Sequence, residues 1–189
     1  MVSVTATRIH TLVLGGARSG KSAHAELLAT ESGKEVLYIA TALPGDSEMA
    51  ARIVRHRQQR SAAWTTVEEP LALGAAIMCW STPERLILVD CLTVWLSNLL
   101  FAEAGDFPEI GEIVAPARFH EERAALLAAL DDSAGDVILV SNEVGMGIIP
   151  QGAVSRWFVD EAGRLHQSVA AACNRVRLVV AGLPMALKG

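Results

Sequence analysis

The sequence contains few cysteines, and their placement excludes disulfide-rich folds. Cys79, Cys91 and Cys173 are an odd number, lie far apart and form no C-x-x-C pair. Secreted disulfide scaffolds need more cysteines at closer spacing. No set of His, Cys and acidic residues has the spacing of a zinc site either. Reduced thiols in a cytosolic protein are therefore expected.

Long apolar runs are also missing. The longest apolar region, residues 86–101, is interrupted by Asp90, Ser97 and Asn98, and it is too short and too polar to span a bilayer. The apolar run before Gly15 covers only a few residues, whereas a secretory signal needs a longer one. We expect a cytoplasmic protein without a membrane span.

The chain has no excess of positive charge. Its 16 Lys and Arg residues against 21 Asp and Glu residues give a net charge of −5, which argues against a nucleic-acid partner because phosphate backbones attract basic surfaces. Of its 189 residues, 51% are hydrophobic and 20% charged, which is typical of a globular chain. This length suits a single domain over residues 1–189.

Short apolar runs alternate with helical segments along the chain. Runs without polar alternation predict parallel strands buried on both faces at residues 11–14, 36–40, 86–90, 137–141 and 177–181. Helices are predicted at residues 21–31, 119–130 and 156–173, and a loop at residues 105–116. The alternation predicts an α/β fold with a mainly parallel sheet and helices on both faces.

A short motif in this pattern predicts a phosphate-binding loop. The letters GGARSGKS fit G-x-x-x-x-G-K-[ST] between a predicted strand and a predicted helix, the context that this motif requires. Glycines allow a tight turn of inward N–H groups, and the helix N-terminus adds positive charge. A glycine-rich turn without a ligand is the alternative. The predicted nucleotide-binding residues are Gly15, Gly16, Ala17, Arg18, Ser19, Gly20, Lys21 and Ser22.

Individual roles within this loop follow from the motif. Lys21 reaches the β- and γ-phosphates, and Ser22 is a ligand for Mg²⁺. Arg18 either contacts phosphate or faces solvent.

Asp90 closes the strand LILVD after four apolar residues, where an unpaired charge is costly. Such a carboxylate commonly holds Mg²⁺ or its waters, and the alternative is an ordinary aspartate in a turn.

Other polar residues follow predicted strands. Ligands of open α/β sheets bind beyond the carboxyl ends of the strands, which draws attention to Thr41, Asn142 and Glu143.

The segment EMAARIVRHRQQR concentrates positive charge in an acidic chain. Its arginines, Arg52, Arg55, Arg57 and Arg60, surround His56. A solvated basic helix is one interpretation. Guanidinium groups also match phosphate oxygens, and neighbouring cations disfavour protonation of an imidazole. Because a neutral imidazole is a nucleophile, His56 is a candidate for covalent attack on phosphorus.

Several stretches together resemble one known family. They are GGARSGKS, VLYIATA, EMAARIVRHRQQR, WTTVEEP, LVDCLTVWLSNLL, VSNEVGMGIIP and DEAGRLHQ, and they extend over nearly the whole chain. The chain resembles the bifunctional adenosylcobinamide kinase / adenosylcobinamide-phosphate guanylyltransferase of cobalamin (vitamin B12) biosynthesis. The phosphate-binding loop GGARSGKS (the P-loop, residues 15–22) is unspecific by itself, but GGARSGKS, EMAARI followed by histidine and SNEVGMGI in this order are specific.

The resemblance implies a RecA-like P-loop NTPase fold, a homotrimer and two reactions. Such enzymes phosphorylate the aminopropanol arm of adenosylcobinamide with ATP or GTP, then transfer GMP from GTP to that phosphate through a guanylyl-histidine intermediate. The corrinoid, the nucleoside triphosphates and Mg²⁺ are thus the implied partners. The implied catalytic residues are His56 and Lys21. Besides the P-loop, the implied nucleotide site comprises Thr41, Arg60, Glu68 and Asp90, with Ser22 and Asp90 as metal ligands.

The sequence departs from the family pattern at three positions. Arg55 stands where some relatives have a second histidine, which leaves His56 as the nucleophile. Asp90 stands where some have Glu, and either serves magnesium. His166 stands where Asn is common, so no role is carried over to it. The stretch SNEVGMGIIP has no assigned role, although its position at a strand end suggests the substrate or nucleotide pocket.

Two other functions are compatible with the P-loop. A simple kinase for another small alcohol or nucleotide would share Asp90, but it leaves His56 among arginines unexplained. A nucleotide-dependent switch or assembly ATPase needs hydrolysis without a phosphoryl acceptor, which nothing in the sequence demands. No N-K-x-D guanine motif occurs, so the choice of GTP depends on the resemblance.

A labelling experiment tests the predicted role of His56 as the nucleophile. Incubation with Mg²⁺ and GTP labelled at the α-phosphate should leave an acid-labile, alkali-stable label on His56, because attack by an imidazole forms a phosphoramidate. His56→Ala should abolish the label and GMP transfer while nucleotide binding remains largely intact. Absence of label on the wild-type protein in the presence of Mg²⁺ would exclude the guanylyl step.

Overall fold

The computed structural model describes residues 8–43, 61–102 and 107–189. The described residues contain seven strands, namely β1 (His10–Gly15), β2 (Glu35–Ala40), β3 (Thr65–Glu68), β4 (Arg85–Asp90), β5 (Asp136–Asn142), β6 (Arg175–Val180) and β7 (Leu183–Lys188). They also contain five helices, namely α1 (Lys21–Glu31), α2 (Leu73–Trp80), α3 (Leu92–Phe101), α4 (Ala117–Asp132) and α5 (Ala153–Ala172).

All seven strands form one sheet in the order β3-β2-β4-β5-β1-β6-β7. Six strands are parallel, and β7 alone among the described strands pairs antiparallel, with β6. The strand β5 lies between β1 and β4, although it follows both in the sequence. The parallel strands end at one edge of the sheet, which is where open α/β folds bind ligands.

Both faces of the inner strands are covered, which explains their apolar sequences. In β1, Leu12 and Leu14 pack with the side of the core that includes residues of α2 to α5, whereas Val13 packs with Ala25 and Ala29 of α1. Successive side chains of a strand point to opposite faces, so a strand buried on both faces is apolar throughout. The predicted α/β fold is confirmed.

Two strands and two helices were not predicted. The strands β3 and β7 lie at the two ends of the described sheet order, and most of their side chains are exposed. The helix α3 directly follows β4 within one continuous apolar run, and α2 is only eight residues long. In the predicted loop, residues 107–116 have no helix or strand, while residues 105 and 106 lie outside the described part.

The cysteines lie in three different parts of the described chain. All three cysteines lie in described segments and are free thiols; Cys79 is exposed, whereas Cys91 and Cys173 are buried. Burial raises the pKa of the Cys173 thiol to about 12. Among the described residues, none of the helices has the length and apolar character needed to cross a membrane.

The contact between α2 and α4 depends on a glycine. A β-carbon at Gly74 would lie 2.6 Å from the carbonyl atoms of Ala125 and 2.9 Å from the nitrogen of Leu126. These are backbone atoms of α4, and they can move only if the helix moves. Gly163 of α5 is the matched case, because a β-carbon there would meet no atom within 4 Å apart from the nearby backbone of its own helix.

Gly74→Ala and Gly163→Ala should therefore change stability in opposite directions. Overpacking at residue 74 should lower the free energy of unfolding by about 1–3 kcal/mol. Alanine at residue 163 should raise it by up to about 1 kcal/mol, since alanine favours a helix over glycine. Urea unfolding measures both changes. A Gly74→Ala protein as stable as the wild type would contradict the close contact of the two helices.

Candidate functional site

Residues that are far apart in the sequence meet at the carboxyl edge of the sheet. Strand pairing aligns Glu68 with Ala40, Ala40 with Asp90, and Asn142 with Gly15. Thr41 directly follows β2. The predicted site residues in described segments therefore lie at the ends of neighbouring strands, as expected for ligands that bind beyond the carboxyl ends.

The P-loop connects β1 to α1. Gly20 is the N-cap of α1, and the helix begins at Lys21. The Lys21 ammonium donates a hydrogen bond to the carbonyl of Gly16 at 3.1 Å, so this side chain crosses the loop. Ser22 lies in the first turn of α1, where backbone N–H groups have no acceptor within the helix. This arrangement suits an anion.

Close packing explains the first and last glycines of the loop. A β-carbon at Gly15 would lie 2.4 Å from Ser19 Oγ and 2.6 Å from the carbonyl oxygen of Val179. Gly20 has a φ of 94°, and a β-carbon there would lie 3.1 Å from Gly182 Cα. Side chains at these two positions would push the loop away from β6 and from the turn that follows it.

The turn between β6 and β7 supports the P-loop from the side of the sheet. The N–H of Gly182 donates to the carbonyl of Ser19 at 2.8 Å. Ser19 Oγ is buried and has no hydrogen-bond partner among the described residues. A buried hydroxyl of this kind is costly without a partner, so it fits a loop that receives a polar ligand. Arg18 is exposed, with a φ of 56°.

Thr41 holds the chain that follows Asp90. Its fully buried hydroxyl accepts the N–H of Cys91 and donates to the Cys91 carbonyl, each at 2.9 Å. The Thr41 N–H donates to the Asp90 carbonyl at 3.3 Å, and the Asn98 amide donates to the Thr41 carbonyl at 2.7 Å. The hydroxyl is thus engaged by the backbone, and its observed contacts position the end of β4.

Asn142 ties the end of β5 to the start of α3. Its side-chain amide donates to Thr93 Oγ1 at 2.8 Å, and its backbone N–H donates to the same oxygen at 3.4 Å. Thr93 Oγ1 also lies 3.3 Å from Cys91 Sγ. These contacts connect the residue after Asp90 with the end of the neighbouring strand.

Glu143 is the next residue, and it contacts the P-loop directly. Its N–H donates to the carbonyl of Gly15 at 3.0 Å, and its Oε1 accepts the N–H of Gly145 at 2.7 Å. Oε2 lies 3.7 Å from His166 Nδ1 of α5, and His166 Nε2 lies 2.7 Å from Ser141 Oγ. Burial lowers the pKa of His166, and the Glu143 carboxylate opposes that shift.

Part of the predicted site lies outside the described residues. His56 and Arg60, with the rest of the basic segment at residues 48–60, belong to the undescribed residues 44–60. Glu68 is an exposed residue at the end of β3. The functional roles of these three residues stay predictions, as do those of the predicted site residues in the described segments.

Several polar residues of this edge have no role in the site predicted from the sequence. Asn98 bridges the carbonyls of Thr41 and Pro70, at 2.7 and 3.1 Å. Thr93, Ser141 and His166 are buried polar residues in the network described above. The available signal was a polar side chain within an otherwise apolar segment, because a buried polar group requires a partner.

Thr41→Val tests the role of the Thr41 hydroxyl. The variant keeps the side-chain shape but leaves the backbone groups of Cys91 without this partner, so the free energy of unfolding should fall by about 1–3 kcal/mol. Nucleotide affinity in Mg²⁺ should also fall because Asp90 is less firmly held. Urea unfolding and titration calorimetry measure the two effects.

Thr41→Ser retains the hydroxyl and should behave like the wild type in both measurements. A Thr41→Val protein with unchanged stability and reduced nucleotide affinity would instead indicate a direct contact of the hydroxyl with nucleotide.

Comparison with solved structures concerns the fold. An ATPase from the type III secretion system of pathogenic bacteria aligns with a TM-score of 0.52 and 9% identity, over 94% of this chain and 56% of that protein. At this identity the likeness shows the fold alone. Together with the strand–loop–helix geometry of GGARSGKS, it agrees with the predicted P-loop NTPase fold, which is confirmed.

Sequence comparison is more specific. A family model for cobinamide kinase / cobinamide phosphate guanyltransferase matches residues 11–187. The bifunctional adenosylcobalamin biosynthesis protein CobP of Pseudomonas aeruginosa is 54% identical over 178 residues, which cover 94% of this chain and 96% of that protein. The corresponding protein CobU of Escherichia coli is 46% identical over 94% of this chain and 98% of its own length. The chain belongs to the cobinamide kinase / cobinamide phosphate guanyltransferase family.

Proposed function

We propose that the chain phosphorylates adenosylcobinamide with ATP or GTP and then transfers GMP from GTP, through a guanylyl-histidine intermediate, to give adenosylcobinamide-GDP in cobalamin biosynthesis. One observation carries the proposal: a complete P-loop, aligned at one sheet edge with Asp90, occurs in a member of this bifunctional family. Phosphoryl transfer in such folds needs positioning and electrostatic stabilisation more than covalent chemistry, and this edge supplies both.

In the kinase step the P-loop binds the phosphates. Its N–H groups and the N-terminus of α1 face the β- and γ-phosphates, and Lys21 moves from the Gly16 carbonyl to the phosphate oxygens. Ser19 Oγ gains a partner when the loop is occupied. The corrinoid hydroxyl attacks the γ-phosphorus in line with the leaving nucleoside diphosphate.

The donor set at this edge fits Mg²⁺. Among the described residues, no group of three or more His, Cys, Asp and Glu side chains converges on a metal position. The proposed ligands are the hydroxyl oxygen of Ser22 and the carboxylate of Asp90, and Mg²⁺ is usually held by one or two such ligands together with phosphates and water. When bound, the ion neutralises charge on the phosphates.

In the second step His56 is the nucleophile. It attacks the α-phosphorus of GTP, and pyrophosphate leaves with the bonding electrons. The phosphate of adenosylcobinamide phosphate then attacks the same phosphorus and displaces the histidine. Two in-line displacements replace one encounter between two polyanions. Support for His56 and Arg60 comes from the arginine-rich sequence and from the family.

We also propose the wider setting of the protein. The resemblance supports a homotrimer, and the free thiols and the biosynthetic family support the cytoplasm. A single domain over residues 1–189 agrees with the continuous sheet. The net charge of −5 supports small-molecule partners rather than nucleic acid.

Product identification tests this function. With adenosylcobinamide, GTP and Mg²⁺, mass spectrometry of the corrinoid should find adenosylcobinamide-GDP, and with ATP alone it should find adenosylcobinamide phosphate. Chelation of Mg²⁺ should stop both reactions, because phosphate charge is no longer neutralised. A corrinoid that is only ever phosphorylated would indicate a simple kinase, and nucleotide hydrolysis with an unchanged corrinoid would indicate a switch or assembly ATPase.

Two lysine variants distinguish the loss of the P-loop lysine from the loss of a positive charge elsewhere in the protein. Lys21→Ala should lower kcat/KM of the kinase reaction by about 100-fold or more, because a charge that stabilises the transition state is lost. Lys34→Ala is the control, since Lys34 precedes β2 at the opposite edge and pairs with Asp136 at 2.9 Å. Its kinase activity should remain near that of the wild type.

A further inference from the structure

We propose that Glu143 is the general base of the phosphoryl-transfer step and that His166 positions its carboxylate. Neither residue has a role in the family pattern described above. The inference depends on the proposed kinase function, and it names the group that removes the proton from the substrate hydroxyl.

Sheet topology places Glu143 between the two halves of the nucleotide site. The P-loop follows β1 and Asp90 ends β4, and β5 lies between them. Asp90 pairs with Val140, and Gly15 pairs with Asn142, so β5 extends past Asp90 toward the P-loop. Adjacent strands are about 4.8 Å apart. A phosphate chain that contacts both the P-loop and Asp90 therefore crosses the end of β5.

The backbone of Glu143 is fixed relative to the P-loop. Its N–H donates to the carbonyl of Gly15, the first residue of the loop, at 3.0 Å. Its side chain is 21% exposed, so the carboxylate is accessible to a substrate and is not surrounded by bulk water. A base must lie within hydrogen-bond reach of the attacking hydroxyl, and this position beside the P-loop is compatible with that requirement.

The two carboxylate oxygens have different surroundings. Oε1 accepts the N–H of Gly145 at 2.7 Å, and this bond closes the turn after β5. Oε2 lies 3.7 Å from His166 Nδ1, which is too long for a hydrogen bond. The imidazole is nevertheless close enough to influence the orientation of the negatively charged carboxylate. Oε2 thus keeps the capacity to accept a proton.

The orientation of the His166 imidazole is set from its other side. Ser141 Oγ lies 2.7 Å from Nε2, and both residues are buried. When the serine hydroxyl donates to Nε2, the ring proton of the neutral histidine lies on Nδ1 and faces Glu143. A glutamate that only closed the turn at Gly145 would need no buried imidazole behind its second oxygen.

The two reactions differ in whether a hydroxyl proton has to be removed. In the kinase step the hydroxyl oxygen bonds to the γ-phosphorus, and the bond from this phosphorus to the bridging oxygen breaks. The leaving nucleoside diphosphate takes that electron pair, and the hydroxyl proton passes to Glu143 Oε2. In GMP transfer the attacking atoms are an unprotonated imidazole nitrogen and a phosphate oxygen, so no hydroxyl proton has to be removed.

Glu143→Gln should therefore separate the two activities. Its amide oxygen can still accept the Gly145 N–H, but the side chain no longer accepts the hydroxyl proton. The kinase kcat should fall by about 100- to 10,000-fold. The KM for ATP, and GMP transfer to adenosylcobinamide phosphate supplied directly, should stay within about threefold of the wild type.

Two further variants control this result. Glu31→Gln removes an exposed carboxylate at the far end of α1, and its kinase activity should be unchanged. Glu143→Asp keeps the charge but withdraws the carboxylate, and misplacement of a reacting group by about 1 Å can cost up to about 100-fold in rate. Its kinase kcat should lie between those of the wild type and Glu143→Gln, with GMP transfer preserved.

A double-mutant cycle tests the role of His166. His166→Leu should lower the kinase kcat by about tenfold in the wild-type background and leave it unchanged in the Glu143→Gln background, since residues that act through one another are not additive. A merely structural role of His166 would lower kcat in both backgrounds. Thermal unfolding of each variant verifies that the fold is retained.

Distinct outcomes overturn the inference and the proposed function. A Glu143→Gln enzyme with a kinase kcat near that of the wild type would overturn the assignment of the base. Equal loss of both activities in Glu143→Gln and Glu143→Asp would also overturn it, because the loop structure would then be the cause. A wild-type protein that leaves the corrinoid unphosphorylated would overturn the proposed function itself.

Discussion

The pairing of β5 with both β1 and β4 is the constraint on which the arrangement of the described site depends. This strand carries the end of β4, with Asp90, on one side and the start of the P-loop on the other. The hydrogen bonds of β5 to both neighbours join backbone atoms, so the distance between Asp90 and the P-loop does not depend on side-chain identity. The last residue of β5 to pair with β1 is Asn142, which pairs with Gly15. The side chains that follow this pair determine the chemical groups that β5 brings to the site.

Around this strand, buried polar groups keep the strand ends in register. Hydrogen bonds join Thr41 to Cys91, Asn98 to Thr41, and Asn142 to Thr93. Each bond contributes little to stability by itself, but an unpaired member in the interior costs about 1–3 kcal/mol. The network therefore favours one arrangement of the described strand ends over others, so these ends are preformed for a ligand.

Sequence patterns predicted the parts of the fold that are buried on both faces. The strands β1, β2, β4 and β5 are apolar and mostly buried, and β6 ends in a short apolar run. The strand β3 is short and mostly polar, and β7 is apolar but exposed and contains Pro184, which is unusual inside a strand. The P-loop was predictable because its residues are consecutive. The edge network was not, since Asn98 and Thr41 are separated by 57 positions and Asn142 and Thr93 by 49. Such pairs are determined by topology, and no local pattern encodes them.

The support of the P-loop by the turn at Gly182 has a consequence for folding during synthesis. The phosphate motif occupies residues 15–22, yet both strands beside β1, namely β5 and β6, come from the last third of the chain. Domains emerge from the ribosome with their N-terminal residues first. A nascent chain that already carries the whole motif has no neighbours for β1, so we expect the capacity to bind nucleotide to arise only after β5 and β6 have been synthesised.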